Sequence, residues 1–469
     1  MSSSPAAVVP VAKTTFWTLD RVADSLEDLS PVNVPRGSST FGRVWTDTRT
    51  IEPGDLFVAL IGERFDAHDF LPDAVARGAT GVVVSRADVA RGLGVPVFEV
   101  SDTLVALGAL GRYRRRAWNK TVVGVVGTNG KTSTKELIRA ALGSVYEVHA
   151  TRGNLNNLIG VPLTLLSIPD EADIAVVEMG TNQPGEVPRL RAIVEPDITV
   201  VTSVAEEHLE GLGDLAGVLR EEMGATEGVE VAVVPSSQPE VIEAARSRAR
   251  RVVAAGLDSG DLTPANWSVG ADGCGSLTMD SVDIRLPLRG AHNLRNAMLA
   301  LAVAREIGVP VADAGRGLAA MSVPPMRVNV EQFPAATLIN DAYNSNPGSA
   351  KAAIELLAHT GKGRQRVAVL ATMLELGPQT PRLHDEVARA ALDAGVDLVA
   401  AIGEFAAAFG RIAPGDSRVI TADDAEMVWP ALSSRLDSNA VILLKGSRGM
   451  RLERLVEPIR QWATQQKSS

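Results

Sequence analysis

Residues 122–135, VVGVVGTNGKTSTK, decide how this chain is read. The apolar run from Val122 to Val126 reads as a buried strand, the glycine-bearing segment after it as a turn, and Lys131, Thr132 and Ser133 stand where a helix begins. A strand, turn and helix in that order make a phosphate cradle. Gly127 and Gly130 let the backbone approach a polyphosphate, successive N–H groups and the helix N-terminus offer positive dipole ends, Lys131 reaches the outer phosphates, and Thr132 can hold magnesium. Leu137, Ile138, Ala141 and Leu142 share one helical face, and Gly143 ends the helix. The general pattern G-x-x-x-x-G-K-[ST] is incomplete, because its first glycine falls on Val125. An ordinary glycine turn is the competing reading.

The chain has 469 residues, too many for one ordinary core, so two to four domains are expected, and its 45% hydrophobic content suffices to fill them. No apolar run reaches the roughly 18 residues that span a bilayer, and the first fifteen residues lack a basic region followed by an apolar core. The expectation is a cytoplasmic protein without membrane insertion. A single cysteine, Cys274, excludes an internal disulfide framework and a cysteine-based metal cluster. The net charge of −10 argues against a nucleic-acid-binding surface, so anionic ligands must be held by local cations and backbone amides. Residues 112–116, RYRRR, are the one basic cluster and read as a solvated helix face.

Alternating short strands and helices divide the chain into residues 1–115, 116–326 and 327–469. In the first part residues 81–85, GVVVS, read as a buried strand. There Thr48 and Arg49, after Asp47, can grip a diphosphate from a loop, and His68, between Asp66 and Asp69, can bond a sugar or base, although a turn with surface charges explains the same residues. In the second part GNLNNLIGVPLTLL (153–166) reads as an amide-rich loop containing Asn156 and Asn157. The strand DIAVVEMG ends in Glu178, where a carboxylate meets the magnesium of a phosphate loop. A later strand leads to Glu206, Glu207 and His208, a candidate metal ligand, and Asn293 reads as the N-cap of a helix carrying Leu294, Ala297, Met298 and Leu301 on one face. Pro324 and Pro325 read as a hinge before Arg327. Beyond it the alternation favours a Rossmann-like parallel sheet without a dinucleotide fingerprint, and KGSR (445–448) can bind a carboxylate or phosphate.

These motifs together resemble the Mur ligase family, and within it the MurF type, over a collinear stretch from Asp47 to Met450. The resemblance rests on GTNGKT, on D-T-R with LFVALIGERFDAH, on GNLNN, on HLEGLG, on GAHNLRN, and above all on DAYNSNP (341–347). VLATMLELG with His384, and KGSR, fit as well. The implied fold class is α/β in three domains: a small UDP-binding α/β domain, a central P-loop ATPase-like parallel-sheet domain and a C-terminal Rossmann-like domain. The implied activity is ATP-dependent ligation of D-alanyl-D-alanine to UDP-N-acetylmuramoyl-tripeptide through an acyl phosphate, in peptidoglycan precursor synthesis, by a cytoplasmic monomer using magnesium.

By the same resemblance ATP is held by Gly127, Thr128, Asn129, Gly130, Lys131, Thr132 and Ser133, with Asn293 at the adenine and Arg327 and Asp341 at the ribose or phosphates. Thr132, Glu178 and His208 are the implied metal ligands. Thr48, Arg49, His68, Asn156, Asn157, Tyr343, Asn344 and Asn346 are the implied substrate contacts. Three departures stand out: Ala67 replaces a glycine, Ala371 and Thr372 replace glycine and aspartate, and Glu222 occupies the place of a lysine that most relatives carbamylate. The expectation is that Glu222 supplies the carbamate's negative charge and, with Lys131 and His208, serves catalysis, Glu221 being the less favoured substitute. A related ligase with another acceptor, or a nucleotide-binding partner without catalysis, are the alternative readings.

Overall fold

The computed structural model describes residues 16–29, 35–323 and 328–465. Arg327, with the Pro324–Pro325 hinge, lies outside the described residues. The chain forms two compact units: residues 1–124, 146–181 and 186–197 make the first, and residues 125–145, 182–185 and 198–469 the second. Among the described residues no helix is long and apolar enough to cross a membrane.

In the first unit four short strands, Val44–Trp45, Leu56–Val58, Gly81–Val84 and Val97–Glu99, pair in sequence order and in parallel. Gly81–Val84 is buried at every position, as an apolar run covered on both faces requires. The helix Thr103–Trp118 packs against Gly160–Leu166, and a Cβ on Gly111 would lie 3.0 Å from Pro162 Cα, so glycine sets how closely they approach. This helix carries the basic run, and here the sequence reading is corrected. Arg114 and Arg115 are buried: Arg114 donates to the Ile168 carbonyl (2.7 Å) and to Asp170, and Arg115 to the carbonyls of Val194 and Glu195 and to Asp197. Two guanidiniums with several donors each are being used to satisfy loop carbonyls, not to meet solvent.

In the second unit the helix Lys131–Leu142 packs on Ala291–Ile307 and Val311–Ala320. Strands Ile198–Val201, Val231–Pro235 and Arg251–Ala255 run parallel in that order, and Asn266–Val269, Cys274–Met279 and Val282–Arg289 form an antiparallel meander that the sequence reading did not include. The last sheet has six strands, with Asn329–Phe333 antiparallel at one edge. Next to it come Ala336–Asp341, Ala440–Lys445, Arg366–Ala371, Leu398–Ile402 and Val419–Ala422, all parallel. The Rossmann-like expectation therefore holds for five strands, and the added edge strand returns through a hairpin. The helix Pro347–Thr360 opens with a capping box: Asn346 accepts from Ser349 N–H while Ser349 Oγ accepts from Asn346 N–H, and proline follows the cap.

Candidate functional site

The strand Thr121–Val126 delivers the chain into the glycine turn, where Gly127 and Gly130 have φ +122 and +85. Both angles demand glycine, and so does the space. A Cβ on Gly127 would lie 2.4 Å from Thr202 Oγ1, and one on Gly130 2.9 Å from the Asn296 amide. Gly130 is the N-cap of Lys131–Leu142 and provides no side-chain acceptor for the first helical N–H groups.

Three backbone donors of the turn are spoken for, which narrows the sequence reading of a whole loop of N–H groups. Gly127 N–H donates to Glu222 Oε2 (2.8 Å), Thr128 N–H to the Ser203 carbonyl (2.8 Å), and Asn129 N–H to Ser203 Oγ (3.0 Å). An anion at this site is met by the helix terminus and Lys131. Lys131 Nζ itself rests on the carbonyls of Gly127 (2.5 Å) and Thr128 (3.2 Å).

Glu222 was expected to supply negative charge in place of a carbamate. Its side chain is buried, with one oxygen on the loop backbone, and burial pushes its pKa up to about 7. Lys131 and the Gly127 N–H oppose that rise, whereas Glu207 and Glu221 add to it. Glu221 caps a different segment, accepting from Gly185 N–H at 2.7 Å.

A cavity of about 530 Å³ opens beside the loop, and many of the expected residues of this unit converge on it. Its wall includes Thr128, Asn129, Gly130 and Ser133, then Asn293, Asp341, Tyr343, Asn344 and Asn346. Asn346 Nδ2 donates to Asn129 Oδ1 at 2.8 Å, tying the DAYNSNP segment directly to the glycine turn. Asp341 is paired with buried Lys445 at 2.8 Å, and Lys445 also donates to the Asn344 carbonyl. Lys445 is thus not a free cation of the KGSR turn. Arg448 lies 5.8 Å over the Tyr343 ring.

Asn293 is not an N-cap. The helix starts at Ala291 with Gly290 as cap, and the Asn293 amide donates back to the Arg289 carbonyl (2.8 Å) while its oxygen accepts from Asn296 (3.3 Å). Sequence reasoning passed over Asn296, which buttresses Gly130, and Gln238, whose amide clasps both the N–H and carbonyl of Val204 at the cavity wall. Only the spacing of the H-N-x-x-N run hinted at the first.

His208 stands at the cap of the helix Leu209–Leu212 in a left-handed conformation, φ +54. Its Nδ1 meets Glu375 Oε2 at 2.5 Å. The adjacent Glu207 is buried and takes Asn344 Nδ2 on one oxygen (3.0 Å), and Glu206 pairs with Arg382 (2.6 Å).

The remaining expected residues belong to the first unit. Asn156 Nδ2 donates to buried Glu178 Oε1 (2.9 Å), whose backbone N–H is held by Thr151 Oγ1. Asn157 accepts from the N–H groups of Ile159 and Gly160, a turn-forming use. Thr48 and Arg49 lie in a single turn capped by Asp47, where Arg49 is exposed and doubly bonded to the Asp47 carboxylate. His68 differs from its expectation as an open sugar or base contact. It is buried, Nδ1 engages Asp66 (2.6 Å), and Nε2 accepts from Ser85 N–H (2.9 Å), so both nitrogens hold the loop.

Three family models match in order: Mur ligase family, catalytic domain over residues 41–150, Mur ligase middle domain over 125–304, and Mur ligase, glutamate ligase domain over 326–448. The chain is 34% identical, over 89% of its length and 92% of the relative's, to the UDP-N-acetylmuramoyl-tripeptide–D-alanyl-D-alanine ligase of Bacillus subtilis strain 168. Its structure is similar to MurF from Acinetobacter baumannii with a TM-score of 0.87 at 30% identity, covering 97% of this chain and all of that one. It is also similar to the MurF ligase of Thermotoga maritima in complex with ADP, with a TM-score of 0.79 at 27% identity and coverage of 91% and 98%.

Proposed function

The chain belongs to the Mur ligase family, among its MurF-type members, and on that premise we propose that it ligates D-alanyl-D-alanine to UDP-N-acetylmuramoyl-tripeptide at the expense of ATP, a cytoplasmic step of peptidoglycan precursor synthesis. The observation that carries this reading is the 2.8 Å bond from Asn346 to Asn129, because it joins the DAYNSNP segment to the phosphate loop at one cavity. We assign the three domains to residues 1–115, 116–326 and 327–469, and a monomer as the working form.

The chemistry follows from what a carboxylate lacks. It acylates poorly, so its oxygen attacks the γ-phosphate of ATP, ADP departs, and the resulting acyl phosphate is displaced by the dipeptide amine with release of phosphate. Lys131 and the uncapped helix start neutralise charge on the transferring group and on the carboxylate that approaches it. Asn293 holds the adenine and Asp341, fixed by Lys445, the ribose. Arg327 is assigned to the phosphates, and Tyr343, Asn344 and Asn346 to the acceptor side. In the first unit Thr48, Arg49 and Asn156 are assigned to the UDP-sugar peptide, with His68 and Asn157 shaping their loops.

In the second unit the Thr132 hydroxyl and the His208 imidazole are donors that magnesium accepts, and the Glu178 carboxylate of the first unit is a donor of the same kind. When bound it screens the phosphate oxygens and favours in-line transfer. A buried carboxylate oxygen of Glu207 without a hydrogen-bond partner among the described residues points the same way.

The test is phosphate release from ATP with UDP-N-acetylmuramoyl-tripeptide and D-alanyl-D-alanine supplied separately and together, with mass detection of product. Release that needs both substrates and yields the pentapeptide is expected. ATP hydrolysis indifferent to acceptor, or no product with either the lysine or the diaminopimelate tripeptide, would overturn the assignment.

A further inference from the structure

In the second unit the helix Leu215–Met223 ends in two carboxylates that hold two different turns. Glu221 accepts from Gly185 N–H at 2.7 Å, and Glu222 Oε2 accepts from Gly127 N–H at 2.8 Å. Both side chains are buried, and both glycines have positive φ, +85 and +122. Glycine by itself holds a backbone direction least firmly, and a carboxylate facing an N–H is a strong acceptor. Consecutive glutamates of one helix thus brace the most permissive residue of each turn.

Gly127 is confined on three sides. A Cβ there would lie 2.4 Å from Thr202 Oγ1 and 2.8 Å from the Ser203 carbonyl oxygen, so its Cα is walled in. The peptide before Gly127 is fixed by Glu222, and the peptide after it by the Thr128 N–H on the Ser203 carbonyl at 2.8 Å. The carbonyl of that second peptide is one of the two on which Lys131 Nζ rests, at 2.5 Å. Loss of the Glu222 acceptor would free the first peptide plane and strand a buried N–H. It would also loosen the perch of the lysine assigned to the phosphates.

We propose that Glu222 is a positioning residue of the phosphate loop, a hydrogen-bond acceptor that fixes Gly127 and so the perch of Lys131, and not a substitute negative charge. The oxygen that the structure places is spent on loop backbone. Burial, with Glu207 and Glu221 adding to it and Lys131 and the Gly127 N–H opposing, pushes the Glu222 carboxyl up to about 7. Near neutral pH the group is therefore divided between two charge states, and both keep an oxygen that accepts an N–H. The inference rests on the ligase reading only in taking the occupant of the loop to be a nucleotide phosphate. The competing role is the one the sequence alone suggested, in which the charge itself is what matters.

Substitutions of equal length separate the two roles. Glu222→Gln keeps an acceptor and discards the charge, whereas Glu222→Met keeps the bulk and discards both. The readouts are the Kd of a non-hydrolysable ATP analogue, by calorimetry on the full chain near neutral pH, and amide exchange across residues 122–131. Glu222→Met is expected to weaken the analogue tenfold or more and to speed exchange in that segment. Glu222→Gln should rescue both, with a Kd within about threefold of wild type. If Glu222→Met does not fold, Glu222→Asp replaces it, since it keeps the charge and loses the reach, and it should bind more weakly than Glu222→Gln. A Glu222→Gln variant weakened tenfold or more, a Glu222→Met variant that binds normally, or Glu222→Asp binding more tightly than Glu222→Gln overturns the proposal. Because the analogue needs neither acceptor nor turnover, a failed ligase assay with these differences intact would count against the acceptor assignment alone. An analogue that wild-type protein does not bind would overturn both.

Discussion

His208 and His384 belong to the same unit and carry the same ring, yet they spend their nitrogens oppositely. His384 is wholly buried, accepts from Met373 N–H at 2.9 Å, donates to the Thr380 carbonyl at 2.7 Å and packs edge-on against Phe405. Burial holds its pKa below the usual imidazole range, which fits a ring that stays neutral. His208 is braced at one nitrogen and turns the other toward Glu207. A histidine saturated by backbone groups organises a loop, whereas one with a lone pair left over is equipped to meet a ligand. His68 in the first unit falls with His384.

The comparison can be strained from both sides. Lys131→Ala removes the charge assigned to the transferring phosphate and should reduce ATP-dependent ligation by about a thousandfold or more, measured as kcat/KM, with a much smaller effect on stability from the loss of its contacts with the Gly127 and Thr128 carbonyls. His208→Ala should cost about a hundredfold in ligation while leaving stability within about 1 kcal/mol, and an equal loss of stability would remove the distinction. His384→Ala should do the reverse, destabilising its domain by about 2–3 kcal/mol in denaturant titration because a buried N–H and a carbonyl lose partners, with a smaller effect on turnover.

The smallest effect concerns Glu222, whose folded pKa of about 7 lies above the ordinary 4.5. Between those values the folded protein keeps a proton that the unfolded chain has released, so stability declines as pH rises from about 4.5 through about 7. Glu222→Gln has no such loss. Its stability relative to wild type should therefore improve by on the order of 2 kcal/mol between pH 5 and pH 8. A difference independent of pH would mean that the carboxylate is ionised throughout.

The sequence was most informative where backbone geometry dictates residue type. Gly127 and Gly130 are required by positive φ and by Thr202 and Asn296 at their backs, so the phosphate loop was readable from one stretch. The strand ending at Glu178 and the alternation after residue 327 were likewise written in buried β-branched runs. The antiparallel meander was missed although Asp272-Gly273 marks its first turn; its second, Asp280-Ser281, holds both residues at positive φ without the glycine that ordinarily announces such a hairpin. RYRRR misled because a charge run says nothing of the carbonyls that await it, and Glu375, although it lies in VLATMLELG, gives no local sign of its pairing with His208, 167 residues away.

The resting place of the Lys131 ammonium bears on the role proposed for it. With the Gly127 and Thr128 carbonyls as its own partners, a lysine that meets a nucleotide exchanges one set of contacts for another, so the affinity it contributes reflects a difference and not a sum. The loop thus substitutes for the ligand that the lysine is assigned to hold.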